Sequence, residues 1–179
     1  IYAFGGAPII TGSTFTANGA LDDGGALMSN GAAPALTNCT FDGNDAELGG
    51  AIHDSAGATL LANVLLVGNT ADWGGAIFTF DSNLDASQCT FVNNSAESGG
   101  GAIRSTNSGI LVANSIARSN TPDAISDFQG VATVESSNVE GGWTGSGSGN
   151  IDEPAGFVNP TIGNYRLLPN SPCLDAGNP

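Results

Sequence analysis

The side chains that could perform chemistry in this 179-residue chain are one histidine, 17 carboxylates and three cysteines. A catalytic triad or a histidine-bound metal would have to include His53, because it is the single histidine. His53, Asp54 and Ser55 are consecutive. Neighbouring residues of a strand point to opposite faces, so these three side chains cannot meet as a triad. The histidine therefore gives no catalytic prediction by itself.

The carboxylates could serve the cleavage of a polysaccharide. Hydrolysis needs two carboxyl groups roughly 5 to 9.5 Å apart, and lyase chemistry needs clustered carboxylates for Ca²⁺ with a basic proton acceptor. The acids considered for this role occupy different positions relative to the repeat described below, which favours solvated turn residues: Asp42, Glu47, Asp54, Asp81, Asp85 and Glu97. A pair of Asp81 with Asp85, or of Asp54 with either, stays open. We predict no catalytic residue, no cofactor and no metal site, with a carbohydrate-active lyase or hydrolase as the alternative.

The composition restricts the partners of the chain. Three arginines, no lysine and 17 acids give a formal charge of −14. This charge repels the phosphates of nucleic acids and of anionic lipids, and no apolar run approaches the ~20 residues that cross a bilayer. We expect neither nucleic-acid binding nor membrane insertion. The many small, neutral polar residues favour a secreted protein that is extracellular or at the cell surface.

A repeat of about 25 residues positions all of these side chains. The tripeptide GGA begins at Gly24, Gly49, Gly74 and Gly100, and a period of this length indicates a solenoid or an array. Short stretches of alternating apolar and polar residues, separated by Gly, Ser, Asn and Asp, predict strands and turns. We predict an all-β, single-domain parallel β-helix, with coils over 1–142 and an irregular segment over 143–179 that closes or caps the solenoid.

An asparagine closes each copy of the repeat, at Asn18, Asn44, Asn69, Asn94 and Asn120. An amide carries both a donor and an acceptor, so identical amides stacked at strand spacing can bond to one another along the axis. We predict a structural ladder. The inward columns are expected to hold Leu27, Ile52, Ile77 and Ile103, then Leu36, Leu61, Ala86 and Val112, then Phe15, Phe41, Leu66, Phe91 and Ala117.

The cysteines do not predict a disulfide framework. Cys39 and Cys89 share one repeat position two copies apart, about 9.6 Å in a parallel stack, which is beyond disulfide reach. They are expected to be buried as small hydrophobic residues. Cys173 lies in the C-terminal segment and could be free or paired outside the chain.

The residue after each inward Leu or Ile is predicted to face outward. This column forms a candidate contact stripe of large side chains: Tyr2, Met28, His53, Phe78 and Arg104. A large exposed apolar stripe indicates a contact surface, whereas unrelated side chains tolerated on a surface would produce the same pattern. A glycan is the partner that such a stripe would fit.

Two groups of residues resemble known repeats. GGAI at Gly49, Gly74 and Gly100, together with FxxN at Phe15, Phe41 and Phe91, resembles the repeats of bacterial polymorphic outer-membrane proteins, which are right-handed parallel β-helices. The closing GNID, FVNP and NYRLLPNSPCLDAGNP are similar to the last segment of secreted bacterial proteins of that fold. The resemblance implies a right-handed solenoid outside the cell.

These observations favour a non-enzymatic, extracellular structural β-solenoid, such as a surface stalk, an adhesin segment or a head-to-tail filament subunit. The enzyme named above and a glycan-binding module are the alternatives. Ile1 aligns with the fourth position of the repeat. We therefore expect end-to-end self-association or a longer rod upstream.

Overall fold

Each repeat forms one coil of a parallel β-solenoid, because its short strands pair with the equivalent strands of the preceding and following repeats. The computed structural model describes residues 1–174. Ile52 pairs with Leu27 on one side and with Ile77 on the other, so the register advances by one repeat per coil. The predicted all-β parallel solenoid with about 25 residues per coil is confirmed.

Three sheets, each with one strand from each of six coils, run the length of the solenoid. Sheet A contains Tyr2–Phe4, Leu27–Asn30, Ile52–Ser55, Ile77–Phe80, Ile103–Thr106 and Ile125–Phe128. Sheet B contains Ile9–Thr11, Ala35–Thr37, Ala58–Ala62, Asn83–Ser87, Gly109–Ala113 and Val131–Glu135. Sheet C contains Thr14–Thr16, Thr40–Asp42, Leu65–Val67, Thr90–Val92, Ile116–Arg118 and Asn138–Val139.

A fourth, shorter sheet closes the cross-section of the middle coils. Sheet D contains Asp45–Leu48, Thr70–Trp73 and Ser95–Ala96. The predicted inward columns of Leu and Ile, of Leu, Ala and Val, and of Phe, Leu and Ala lie in the core, apart from Phe15, which is only partly buried at its edge. Cys39 and Cys89 are buried in the same core, as predicted.

The paired glycines allow the chain to turn from sheet D into sheet A. Gly49 has a φ of 63°, and a Cβ built on it would lie 2.0 Å from the carbonyl oxygen of Ile52. A Cβ on Gly50 would lie 2.3 Å from the carbonyl oxygen of Thr70. Backbone from neighbouring strands occupies the space that a side chain would need, so this corner accepts only glycine.

The segment after Val139 leaves the regular winding and packs against the last coils. Trp143 packs against the core, and Asn138 donates from Nδ2 to the Glu153 carbonyl oxygen at 2.8 Å. An antiparallel hairpin follows, made of Phe157–Asn159 and Asn164–Leu167 around the short 3-10 helix Pro160–Ile162. The predicted closing segment extends to residue 179, and its last five positions lie outside the described residues. Among residues 1–174, no helix has the length and apolar character to span a membrane.

The five repeat asparagines form one line of hydrogen bonds along the axis. Each Nδ2 donates to the Oδ1 of the asparagine in the next coil, at 2.8, 2.9, 2.9 and 3.0 Å from Asn18 to Asn120. Each Oδ1 from Asn44 onward also accepts the backbone N–H of the preceding asparagine. Asn69 in addition donates from Nδ2 to the Phe41 carbonyl oxygen at 3.1 Å. The amides in the middle of this asparagine ladder are buried and have all their hydrogen-bonding groups paired.

Replacing Asn69 by Leu should lower the free energy of unfolding by about 3 kcal/mol, the upper end of the cost of one unpaired buried polar group. The change removes the acceptor of two Asn44 donors and one donor each of Phe41 and Asn94. Urea unfolding measures the loss. Asn83→Leu is the matched control, because Asn83 is exposed on sheet B and should change stability by less than about 0.5 kcal/mol. Equal effects of the two variants would show that the ladder contributes nothing special.

Candidate functional site

The candidate contact stripe is in register on sheet A but is not an exposed stripe. Tyr2, Met28, His53, Phe78 and Arg104 pair in successive coils. Tyr2 is 64% exposed, whereas His53 and Phe78 are only 6% and 8% exposed. The prediction of one continuous exposed stripe is therefore wrong for its middle members.

The covering side chains come from the residue that precedes each Gly-Gly turn. Asp23, Leu48 and Trp73 are equivalent residues in successive coils. The Asp23 carboxylate lies 2.8 Å from Nδ1 of His53, and the Arg104 guanidinium lies 5.0 Å from the centre of the Trp73 ring. Each of these contacts reaches from one coil to the outward residue of the next coil on sheet A. Alternation within a strand gives the direction of a side chain, and it does not reveal such a cover from a neighbouring coil.

His53 is held in a closed environment. Its Nδ1 contacts Asp23, its ring meets Phe78 edge to face at 5.2 Å between centres, and its Nε2 is buried without a partner. Burial lowers the pKa of His53 below 6.5, and the nearby carboxylates of Asp23 and Asp54 oppose this effect. An imidazole enclosed at Nε2 cannot take a proton from an outside substrate. The geometry of His53 supports a structural role.

An exposed aromatic surface lies beside the covered stripe. Phe4, Phe80 and Phe128 share one outward column of sheet A, two residues beyond the stripe, and are 77%, 42% and 51% exposed. Arg104 lies between the rings of Trp73 and Phe128, at 5.0 and 5.8 Å from their centres, and donates from Nη1 to the Ser126 hydroxyl at 2.6 Å. We call Trp73, Arg104 and Phe128 the aromatic clamp. The repeat period could have located this column, because its members follow the stripe by a constant two residues.

The acids are more ordered than the sequence interpretation held. Glu47 and Glu97 lie in one column of sheet D together with Asp72, 25 residues apart, and Asp22 precedes them at the same interval. All four are exposed. The prediction that Glu47 and Glu97 occupy different columns is wrong, because the column becomes visible only when Asp22 and Asp72 are counted with them.

This acidic column places like charges at about one strand spacing, 4.8 Å. Like charges directly opposite each other on neighbouring strands are destabilising. Within residues 1–174, no group of three or more His, Cys, Asp or Glu side chains is arranged to hold a metal ion. The column is therefore a source of local repulsion on the face of sheet D.

The proposed carboxylate pairs that include Asp54 are not formed across an outer groove. Asp54 faces the core, is fully buried and accepts a 2.6 Å hydrogen bond from the Ser82 hydroxyl. Asp81 lies in the turn before sheet B, where it accepts a hydrogen bond from Asn107, and Asp85 lies on sheet B. The inward direction of Asp54 follows from its position two residues after Ile52.

The cysteines are free thiols. Burial raises the pKa of Cys89 to about 12, so this group is not a nucleophile near neutral pH. Cys173 lines a cleft of about 210 Å³ between the C-terminal segment and the solenoid, where its Sγ lies 3.0 Å from Nδ2 of Asn138. The buried polar groups of this cleft, Ser115 and Asn138, are already bonded to protein groups.

Three long parallel sheets, a closed core and a repeating amide line define the protein as a parallel β-solenoid. A family model described as the right-handed β-helix region matches residues 1–117, which is more than half of the chain. The chain therefore belongs to the right-handed β-helix family. No curated protein and no solved structure matches it.

Acidification should weaken the protein through His53. Because burial lowers the pKa of His53, the unfolded chain binds the proton more readily than the folded chain does below about pH 6.5. The folded state therefore has the full contribution of neutral His53 above that pH and loses it as the pH falls toward the lowered value. Urea unfolding at about pH 7.5 and about pH 5 should show a larger loss for the wild type than for His53→Gln. Equal losses would contradict this assignment.

Proposed function

We propose that this chain is a non-enzymatic structural solenoid of an extracellular or cell-surface assembly, acting as a stalk, an adhesin segment or a filament subunit. The observation that carries the proposal is the asparagine ladder, which joins five successive coils by direct side-chain hydrogen bonds. A rod of stacked coils transmits load along its axis, since each coil contacts its neighbours through several sheets. Such a rod suits a spacer or a repeating subunit.

Two sequence features support the extracellular location. The GGAI and FxxN repeats resemble those of bacterial polymorphic outer-membrane proteins, and the surface relies on small neutral groups and acids rather than on lysine. The acidic column on sheet D keeps one face strongly negative. A strongly negative surface favours solubility and discourages non-specific binding to anionic polymers.

The first coil supplies a surface for end-to-end contact. Tyr2–Phe4, Ile9–Thr11 and Thr14–Thr16 are the edge strands of sheets A, B and C. Parallel edge strands present backbone groups that pair readily with a further strand. The partner we propose is another β-solenoid coil, from a second copy of this chain or from a longer rod.

Sedimentation of this 179-residue chain across concentrations tests the contact. The particle size should rise with concentration, and Ile9→Lys should reduce the rise because a lysine on an edge strand opposes strand pairing. Leu21→Lys is the matched control, since Leu21 is 93% exposed in the same coil but lies outside the edge strands. A monomer at every concentration, or an equal effect of both lysines, would refute the end-to-end contact.

A glycan-binding module is the second candidate function. The aromatic clamp favours it, because Phe128 and Trp73 expose ring surface around a fixed guanidinium. Aromatic rings of this kind offer an apolar face beside a polar group, which suits a sugar ring. The negative charge of the whole chain favours a neutral glycan over a polyuronate.

A panel of neutral and acidic polysaccharides, with and without Ca²⁺, separates these functions. The structural proposal expects no turnover of any member. Turnover abolished by Asp81→Asn would overturn it in favour of an enzyme. Binding of a neutral glycan that is lost in Phe128→Ala and kept in Val131→Ala would establish the second candidate. Val131 is the control because it is 63% exposed on sheet B, in the same coil as Phe128.

A further inference from the structure

We propose that Asn18 is a self-modification site, at which the side-chain amide is lost by reaction with the backbone nitrogen of Gly19. Asn18 is the one member of the asparagine ladder that a glycine follows. The other four precede Asp45, Thr70, Ser95 and Thr121. Glycine gives the backbone the freedom to close a ring onto the preceding side chain and adds no Cβ to obstruct it.

The electrophile of this reaction is accessible at Asn18 and enclosed at the central ladder positions. Asn18 is exposed, whereas Asn44, Asn69 and Asn94 have no exposed surface. Asn44 donates from Nδ2 both to the next asparagine and to the Phe15 carbonyl oxygen, whereas Asn18 donates from Nδ2 to Asn44 alone. Water and base can therefore reach the Asn18 amide more easily than the buried amides.

The nucleophile is also free at this position. Within residues 1–174, the Gly19 N–H donates no hydrogen bond, while the equivalent N–H groups of Asp45 and Thr70 each donate to a backbone carbonyl at 2.9 Å. The chain contains a second Asn-Gly pair within the described residues, Asn30-Gly31. There the Gly31 N–H donates to the Ser55 carbonyl oxygen at 2.8 Å, so its nitrogen is engaged.

The reaction conserves every atom of the groups involved. Base removes the Gly19 amide proton, the nitrogen attacks Cγ of Asn18, and the Cγ–Nδ2 bond breaks with release of ammonia. Water then opens the resulting succinimide at either carbonyl. The product at position 18 is either an aspartate or an isoaspartate whose main chain runs through the side-chain carbon. No oxidant or reductant is needed.

The modification would weaken the first end of the asparagine ladder. Asn44 Oδ1 accepts from both the backbone N–H and Nδ2 of Asn18. An aspartate lacks the Nδ2 donor and brings a negative oxygen toward that acceptor instead. The isoaspartate in addition lengthens the main chain where Gly19 bridges to Asp45.

Incubation of the intact 179-residue chain at mildly alkaline pH, followed by peptide mass analysis with isoaspartate detection, tests the proposal. Asn18 should convert several-fold faster than Asn30, and Asn44, Asn69 and Asn94 should stay unchanged. Gly19→Ala should slow the conversion several-fold while the fold persists, because Gly19 has an ordinary φ and an added Cβ would come no closer than 4.0 Å to the Asp45 carbonyl oxygen. Conversion of Asn30 at the same rate as Asn18, or no effect of Gly19→Ala, would overturn the proposal.

A second variant tests the consequence independently of the reaction rate. Asn18→Asp mimics one product and should speed hydrogen exchange of the backbone amides of Asn18 and Asp45 relative to the wild type. Exchange in the last coil, at Val134, should not change. Equal exchange of the wild type and the variant at Asn18 and Asp45 would show that the modification has no structural effect.

Discussion

The solenoid depends on one constraint, the pairing of a buried primary amide with the same amide in the next coil. Asn69 illustrates it: its Oδ1 accepts two hydrogen bonds from Asn44, and its Nδ2 donates to Asn94 and to the Phe41 carbonyl oxygen. A slip of one residue would leave these buried groups unpaired, each at a cost of about 1 to 3 kcal/mol. The register that satisfies the amides also stacks Ile on Ile and Phe on Leu in the core, so polar and apolar terms favour the same winding.

The outer faces differ because the fixed register repeats whatever residue occupies each position. On sheet A, the residue before the Gly-Gly turn leans over the next coil, as Asp23 does over His53 and Trp73 does over Arg104. On sheet D, the same regularity aligns Glu47, Asp72 and Glu97 into a column of like charge. One backbone therefore carries a covered face with an aromatic margin and an acidic face, while the C-terminal segment packs on a third side.

Sequence alone predicted the fold because its signals repeat. The Gly-Gly corners, the asparagine spacing and the inward Ile column recur in several copies, and each copy supports the same interpretation. The exposure of His53 and Phe78 was predicted wrongly, because their cover comes from Asp23 and its equivalents in a neighbouring coil, which alternation within one strand does not report. The acidic column was accessible from the period, but its pattern required Asp22 and Asp72 as well as Glu47 and Glu97. The closed environment around the Nε2 of His53 depends on three-dimensional packing and has no signal in the sequence.

A double-mutant cycle between Asn44 and Asn69 tests the central constraint most directly. Both single alanine variants and the double variant would be unfolded with urea, alongside a second cycle between Asn44 and the exposed Asn83. Since Asn44 and Asn69 share two hydrogen bonds, their coupling energy should fall in the range of about 0.5 to 3 kcal/mol that contacting residues show, whereas the Asn44 and Asn83 effects should add. Additive effects for Asn44 and Asn69 would mean that each amide acts alone, and the ladder could not be what holds the coils in register.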